Sequence, residues 1–241
     1  MLPIAEIIRL SWNTYISKMK KYLPLLGLMF VFSALSSLAS ILFTDVLQLP
    51  QVFAMLATAG ASAVFYLLNF GVTIFLILYT ARFLENKKAD FKFKDLLAVF
   101  WPALLISIVT ALITLGGFLM IIVPGVIFTV WYAFAIYLVI LEKKKGVGAL
   151  LHESREMSRG KFWPIFGRLV LPAAFWAVIA YLVLAGIMNL LGMIFNQSLL
   201  TATSLPLPLT LATLLVSDLI ASFFSILPII ATTIVYREAR K

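Results

Sequence analysis

Two stretches of the chain, KYLPLLG at Lys21–Gly27 and KFWPIFG at Lys161–Gly167, repeat one phrase, and FWPALL at Phe100–Leu105 shares its core. Each sets aromatic residues ahead of a proline and opens a long apolar run. The surrounding composition fixes the solvent: 63% of the 241 residues are hydrophobic and 12% charged, with mean hydropathy +1.09. Soluble domains are about half apolar and about a quarter charged. Six apolar segments, at 23–44, 52–84, 99–122, 125–141, 162–195 and 209–236, are of membrane-crossing length. They predict an all-α polytopic membrane protein with six transmembrane helices, because a helix satisfies its own backbone hydrogen bonds where no water is at hand.

Charge sets the expected orientation. The 19 lysines and arginines fall at Arg9–Lys21, Arg82–Lys94, Lys143–Lys145, Arg155–Arg168 and Arg237–Lys241, whereas the alternate connections at 45–51, 123–125 and 196–208 hold none. By the positive-inside rule both termini are cytoplasmic. The first residues lack the compact apolar stretch and small-residue cleavage site of a secretory signal, so none is expected. Net charge +9 is accounted for by this topology, and nucleic acid is not an expected partner. The absence of cysteine excludes disulfides and thiol chemistry.

The repeated phrase stands where the chain enters the membrane from the cytoplasm, ahead of segments one, three and five, with Trp12, Trp101 and Trp163 close by. Aromatics favour the headgroup level, and proline suits the first turn of a helix. Amphipathic stretches precede the first and last of these points. Ile4, Ile7, Ile8, Ser11 and Tyr15 share one helical face, and Val147, Leu150, Leu151, Ser154 and Ser158 repeat the spacing. Both are expected to lie in the inner interface with the apolar face toward lipid; DFKFKDLLAVFWP, before segment three, is shorter and less regular. Exits repeat as well, in FLENKK, ILEKKK and VYREARK. The chain therefore reads as three hairpins, about 1–85, 90–142 and 146–241, in a single transmembrane domain with internal repeats. Val123-Pro124-Gly125 is the expected tight turn of the second. Segments two, five and six exceed the roughly 20 residues a bilayer needs, and the excess is expected as outer interfacial segments. Ser33, Ser37 and Ser40 in segment one, and Ala57, Gly60 and Ala61 in segment two, are candidates for close helix packing.

Residues able to carry chemistry are few. His152, the only histidine, could meet a metal with Glu156 one turn on, but two ligands on a solvated face make a weak site. Ser154 has no second histidine to activate it. No catalytic residue, metal site or cofactor is expected. Asp218 lies within an apolar segment, where an acid is costly, with Asn69 and Asn189 as candidate partners. Arg168 lies about two turns into segment five and either snorkels to the headgroups, pairs with an acid such as Glu142, or holds a lipid phosphate. With Arg159, Lys161 and Asp218 it forms the candidate ligand- and lipid-binding set. NQS at Asn196–Ser198 fits a glycosylation sequon.

The stretch Val123–Gly167 resembles a family of prokaryotic six-helix integral membrane proteins related to the membrane domain of glycerophosphodiester phosphodiesterases. The likeness rests on Pro124-Gly125, Glu142 at the end of segment four, Ala149-Leu150 and Ser154, and Gly160 before Phe162-Trp163. In that family a proline often interrupts helix four, where this chain has Ile136-Tyr137. The resemblance implies a prokaryotic cytoplasmic membrane and a link to lipid metabolism; the phosphodiesterase domain, with its carboxylates and histidines, is not present.

Together these readings predict a non-enzymatic integral membrane protein that binds or organises membrane lipids, anionic ones included, or scaffolds a membrane partner or its own copies. The expected cytoplasmic side carries 19 bases against eight acids, a surplus of +11, once Asp45 and Asp218 are set aside. The alternative is a small transporter using Asp218, Asn69 and Asn189.

Overall fold

The computed structural model describes residues 2–47, 49–85, 93–195 and 206–240. In chain order the elements are α1 (Ile4–Ser17), α2 (Met19–Ile41) running into a π-helical turn (Leu42–Val46), α3 (Gln51–Leu84), α4 (Phe93–Met120), α5 (Ile122–Tyr132), α6 (Ala135–Glu142), α7 (Val147–Ser158), α8 (Phe162–Phe195) and α9 (Leu207–Arg240). No strand occurs among the described residues. Six helical stretches are long and apolar enough to cross a membrane: Met19–Thr44, Gln51–Leu84, Lys94–Met120, Ile122–Glu142, Phe162–Phe195 and Leu207–Arg240. Large apolar side chains such as Leu119, Met120, Leu182 and Met193 stand exposed along them, as lipid-facing residues do.

The chain divides into two compact units. One comprises residues 1–17, 74–173 and 227–241, and holds α1, α4 to α7 and parts of α3, α8 and α9. Its core is aromatic and aliphatic: Tyr15, Phe134, Leu138, Ile140, Ile165 and Leu227 are fully buried. The other comprises residues 18–73 and 174–226, with α2, the π-helical turn and the remaining parts of α3, α8 and α9. Its contacts include a hydrogen bond of 3.0 Å from Ser36 on α2 to Ser62 on α3.

Several local expectations are corrected. The apolar excess of segments two and five is not set off as separate elements. Val52–Ala61 belongs to α3 and Gly186–Phe195 to α8, each an unbroken helix of 34 residues, about 51 Å at 1.5 Å per residue. Leaving the helix amid such apolar sequence would strand backbone groups. Of the three repeated prolines only Pro164 lies in a first turn. Pro24 and Pro102 are interior, because α2 starts at Met19 and α4 at Phe93, ahead of the apolar run. The connection between α4 and α5 is one residue, Ile121, in extended conformation (φ −161°, ψ 153°), and Pro124 and Gly125 sit in the first turn of α5. Gly60 meets nothing on its open side, so it is not a close-packing point. The sequon at 196–198 and most of the basic run at 87–94 lie outside the described residues.

The amphipathic helices are present, but their stripes are covered by protein. Ile7, Ser11 and Tyr15 of α1 are fully buried, and Leu150, Ser154 and Ser158 of α7 are buried. For α7 the cover is α5 and α6, and the next section shows why serines occupy that stripe. Trp101 and Trp163 project outward, as interfacial aromatics do.

Candidate functional site

Span four is not one helix. It stops at Tyr132, turns through Ala133 and Phe134, and restarts at Ala135 without any proline at the break. Such an interruption frees backbone groups that the apolar surroundings cannot solvate. The α7 serines supply the partners. Ser154 Oγ accepts from the Phe134 N–H at 3.2 Å and donates to the Trp131 carbonyl at 2.7 Å, and Ser158 Oγ donates to the Val130 carbonyl at 3.2 Å. Arg155, one residue along α7, places its guanidinium 4.2 Å from the Trp131 ring centre, an attractive contact with the negative ring face. The α7 stripe thus reads apolar–serine–serine because it matches broken backbone, not lipid.

Where span four ends, four charged side chains close a ring of alternating sign. Lys144 Nζ lies 2.6 Å from Glu153 and 3.1 Å from Glu142; Arg240 reaches the same carboxylates at 2.7 Å and 2.8 Å. The Tyr236 hydroxyl donates to the other Glu142 oxygen, and its ring stacks on Tyr137 with centroids 5.3 Å apart. Beside the ring, Arg237 meets Glu85 at 3.4 Å. The acids that close spans two and four thereby pair with bases that close span six, so the repeated exit motifs interlock.

These pairings hold Lys144, chiefly through Glu153 and then Glu142, above its ordinary 10.5, and hold Glu153, chiefly through Lys144, below its ordinary 4.5. The depressed carboxylate stabilises the fold above its unfolded value and loses that contribution as pH falls through the folded one. The raised ammonium contributes fully below 10.5 and loses its contribution at higher pH. Melting curves between about pH 7 and pH 3 should therefore show stability falling below about 4.5. Glu153→Gln should be less stable at neutral pH and flatter across that window; a variant as acid-sensitive as the parent would dissociate the ring from the effect.

The ring borders a cavity of about 600 Å³. One wall is apolar, with Leu78, Ala81, Val99 and Ile140. The rim is charged: Arg82, Lys143, Arg237 and Arg240 stand among Glu85, Asp95 and Glu142. The volume lies within the roughly 300–1,000 Å³ of small-ligand pockets. A polar rim on an apolar wall can accommodate an amphiphile.

The residues singled out from sequence are placed elsewhere. Arg168 does not meet Glu142; its Nε donates to the Leu2 carbonyl at 2.6 Å and its Nη1 to the Pro164 carbonyl at 2.9 Å, fastening the start of α1 to α8. Arg159 pairs with Glu156 at 3.2 Å on the surface, and Lys161 is exposed. None of the three lines the charged cavity. Asp218, in the other unit, accepts a hydrogen bond of 2.9 Å from Ser37. Asn189 donates instead to its own helix, at Ala185, and the Asn69 side-chain oxygen is buried with no hydrogen-bond partner among the described residues. His152 is exposed on α7. Sequence reasoning missed the cavity and the serine clasp. The recurring E-then-K/R exits signalled the first, and two serines on an apolar stripe signalled the second.

No protein-family model, curated protein or solved structure matches this chain. The six long apolar helices mark a multi-pass helical membrane protein, and its function is argued from the site alone.

Proposed function

We propose that this chain is a non-enzymatic lipid-binding and membrane-organising protein of a prokaryotic cytoplasmic membrane, with both termini and the charged cavity on the cytoplasmic side. The observation that carries the reading is the cavity, in which an apolar wall meets a charged rim. The run of bases on the inferred cytoplasmic side supports it, since each well-placed base attracts anionic headgroups by about 1 kcal/mol. Native mass spectrometry of protein released from mild detergent tests it: the expected result is a lipid retained at one per chain, and a chain that emerges bare, or carrying only its own copies, would sink the reading in favour of a scaffold.

A second reading, a small transporter, is favoured by one observation: the Asp218 carboxylate, hydrogen-bonded to Ser37, lies amid apolar helices with the unsatisfied Asn69 oxygen in the same unit. An acid so placed marks an ion or substrate path by default. If flux is the function, Asp218→Asn should abolish it in proteoliposomes while leaving the melting temperature nearly unchanged. Flux that survives the substitution removes the acid from any path.

A further inference from the structure

We propose that the charged cavity seats one phosphodiester headgroup of an anionic membrane lipid, with the Lys143 ammonium as the charge that fixes it; this deepens, and rests on, the lipid-binding reading above. The rim charges do not cancel. Four cations face three carboxylates, which leaves one positive charge. Arg237 is paired with Glu85, and Arg240 with Glu142 and Glu153. Lys143, by contrast, is exposed and makes no hydrogen bond or ion pair with any described residue. A single surplus cation matches a single phosphodiester charge; a dianionic group would meet the three acids with repulsion.

The backbone singles out the same residue. Lys143 ends α6 in the left-handed region (φ 54°, ψ 27°), the only non-glycine with positive φ among the described residues, while the next amide bonds back to the Leu138 carbonyl. Glycine serves this position at least cost. A lysine held there, at the rim of a cavity and without a partner, is strain located where a ligand would use it. The apolar wall identifies the source of the phosphate. Leu141, half-buried, with the edges of Leu78 and Ala81, borders the rim and suits the glycerol and first acyl carbons of a lipid, which a hydrated free anion lacks.

Lys143→Gly is the informative variant, because it keeps the left-handed turn and relieves it, so lost binding does not reflect misfolding. Full-length protein in detergent is titrated with phosphatidylglycerol, phosphatidylcholine or inorganic phosphate. Bound lipid is counted by native mass spectrometry, and protection is read as the shift in melting temperature. The expected result is one phosphatidylglycerol per parent chain, retention about fivefold weaker in Lys143→Gly, and Lys145→Gln, a neighbouring exposed cation outside the cavity, unchanged. Equal retention by Lys143→Gly overturns the site while leaving the lipid-binding function standing; a parent chain that retains neither lipid overturns both. Phosphatidylcholine held as well as phosphatidylglycerol overturns the charge argument. Protection by inorganic phosphate equal to that by lipid makes this a site for a soluble anion and overturns the lipid source.

Discussion

Replacing Ser154 by alanine should lower the unfolding free energy by about 2–3 kcal/mol, a large effect for the loss of one oxygen. The reason is that a single hydroxyl satisfies both sides of the break in span four: the Phe134 N–H on one side and the Trp131 carbonyl on the other. Removing it leaves a buried donor and a buried acceptor, and each orphaned group costs about 1–3 kcal/mol. Water cannot compensate, since Ser154 is fully buried. Ser158→Ala should cost less, about 1 kcal/mol, because that hydroxyl is shared between Val130 at 3.2 Å and its own helix at Ser154 at 3.3 Å. Reversible unfolding by sodium dodecyl sulfate in mixed micelles measures the difference. A Ser154→Ala protein that unfolds at the parent's detergent fraction would mean that the break holds without its clasp.

Gly125→Ala should be destabilising by about 1–3 kcal/mol, against the usual gain from putting alanine into a helix. A methyl group there would lie 2.4 Å from two atoms of the Phe118 ring, which is ring body and not a flexible tip. The opposing glycine is equally committed: a Cβ on Gly117 would come within 2.7 Å of the Phe128 ring and 3.0 Å of the Gly125 backbone. The backbones of α4 and α5 therefore touch beside the one-residue turn at Ile121. Gly116, the adjacent glycine, has open space where a Cβ would go, so Gly116→Ala should be neutral or stabilising by up to about 1 kcal/mol. The neighbouring pair makes an internal control. Combining Gly125→Ala with Phe118→Ala should recover part of the loss, because the two changes share one contact. Additive losses would show that the ring is not what the glycine accommodates.

The number, order and approximate bounds of the six spans were legible from hydropathy alone, because lipid imposes a length and an apolarity that leave few alternatives. The amphipathic stretches at Ile4–Ser17 and Val147–Ser158 were legible as helices for the same periodic reason. Their environment was not. A buried stripe reads identically whether lipid or protein covers it, and only the positions of Ser154 and Ser158 hint at the second. The break at Ala133–Phe134 left no local mark, since no proline or glycine stands there, and the hydroxyl that satisfies it lies 20 residues away. Arg168 was legible as a cation near a helix start, but its acceptors, the carbonyls of Leu2 and Pro164, are backbone atoms that no residue pattern announces. The charged cavity depended on long-range pairing of Glu85 and Glu142 with bases of α9, and sequence spacing does not encode such distances.

The serine clasp also orders the steps of biosynthesis. When the ribosome has delivered span four as far as Tyr132, the residue that must bridge its break does not yet exist outside the tunnel; Ser154 follows 22 residues later. At about 5–20 residues per second, the nascent segment waits between about one and four seconds with unsatisfied backbone. During that interval the insertion machinery, and not the bilayer, must shelter it. A pause timed so that Tyr132 has left the tunnel while Ser154 is still inside it should lengthen this exposure and raise the share of chains cleared by quality control, whereas a pause after Ser154 has emerged should not.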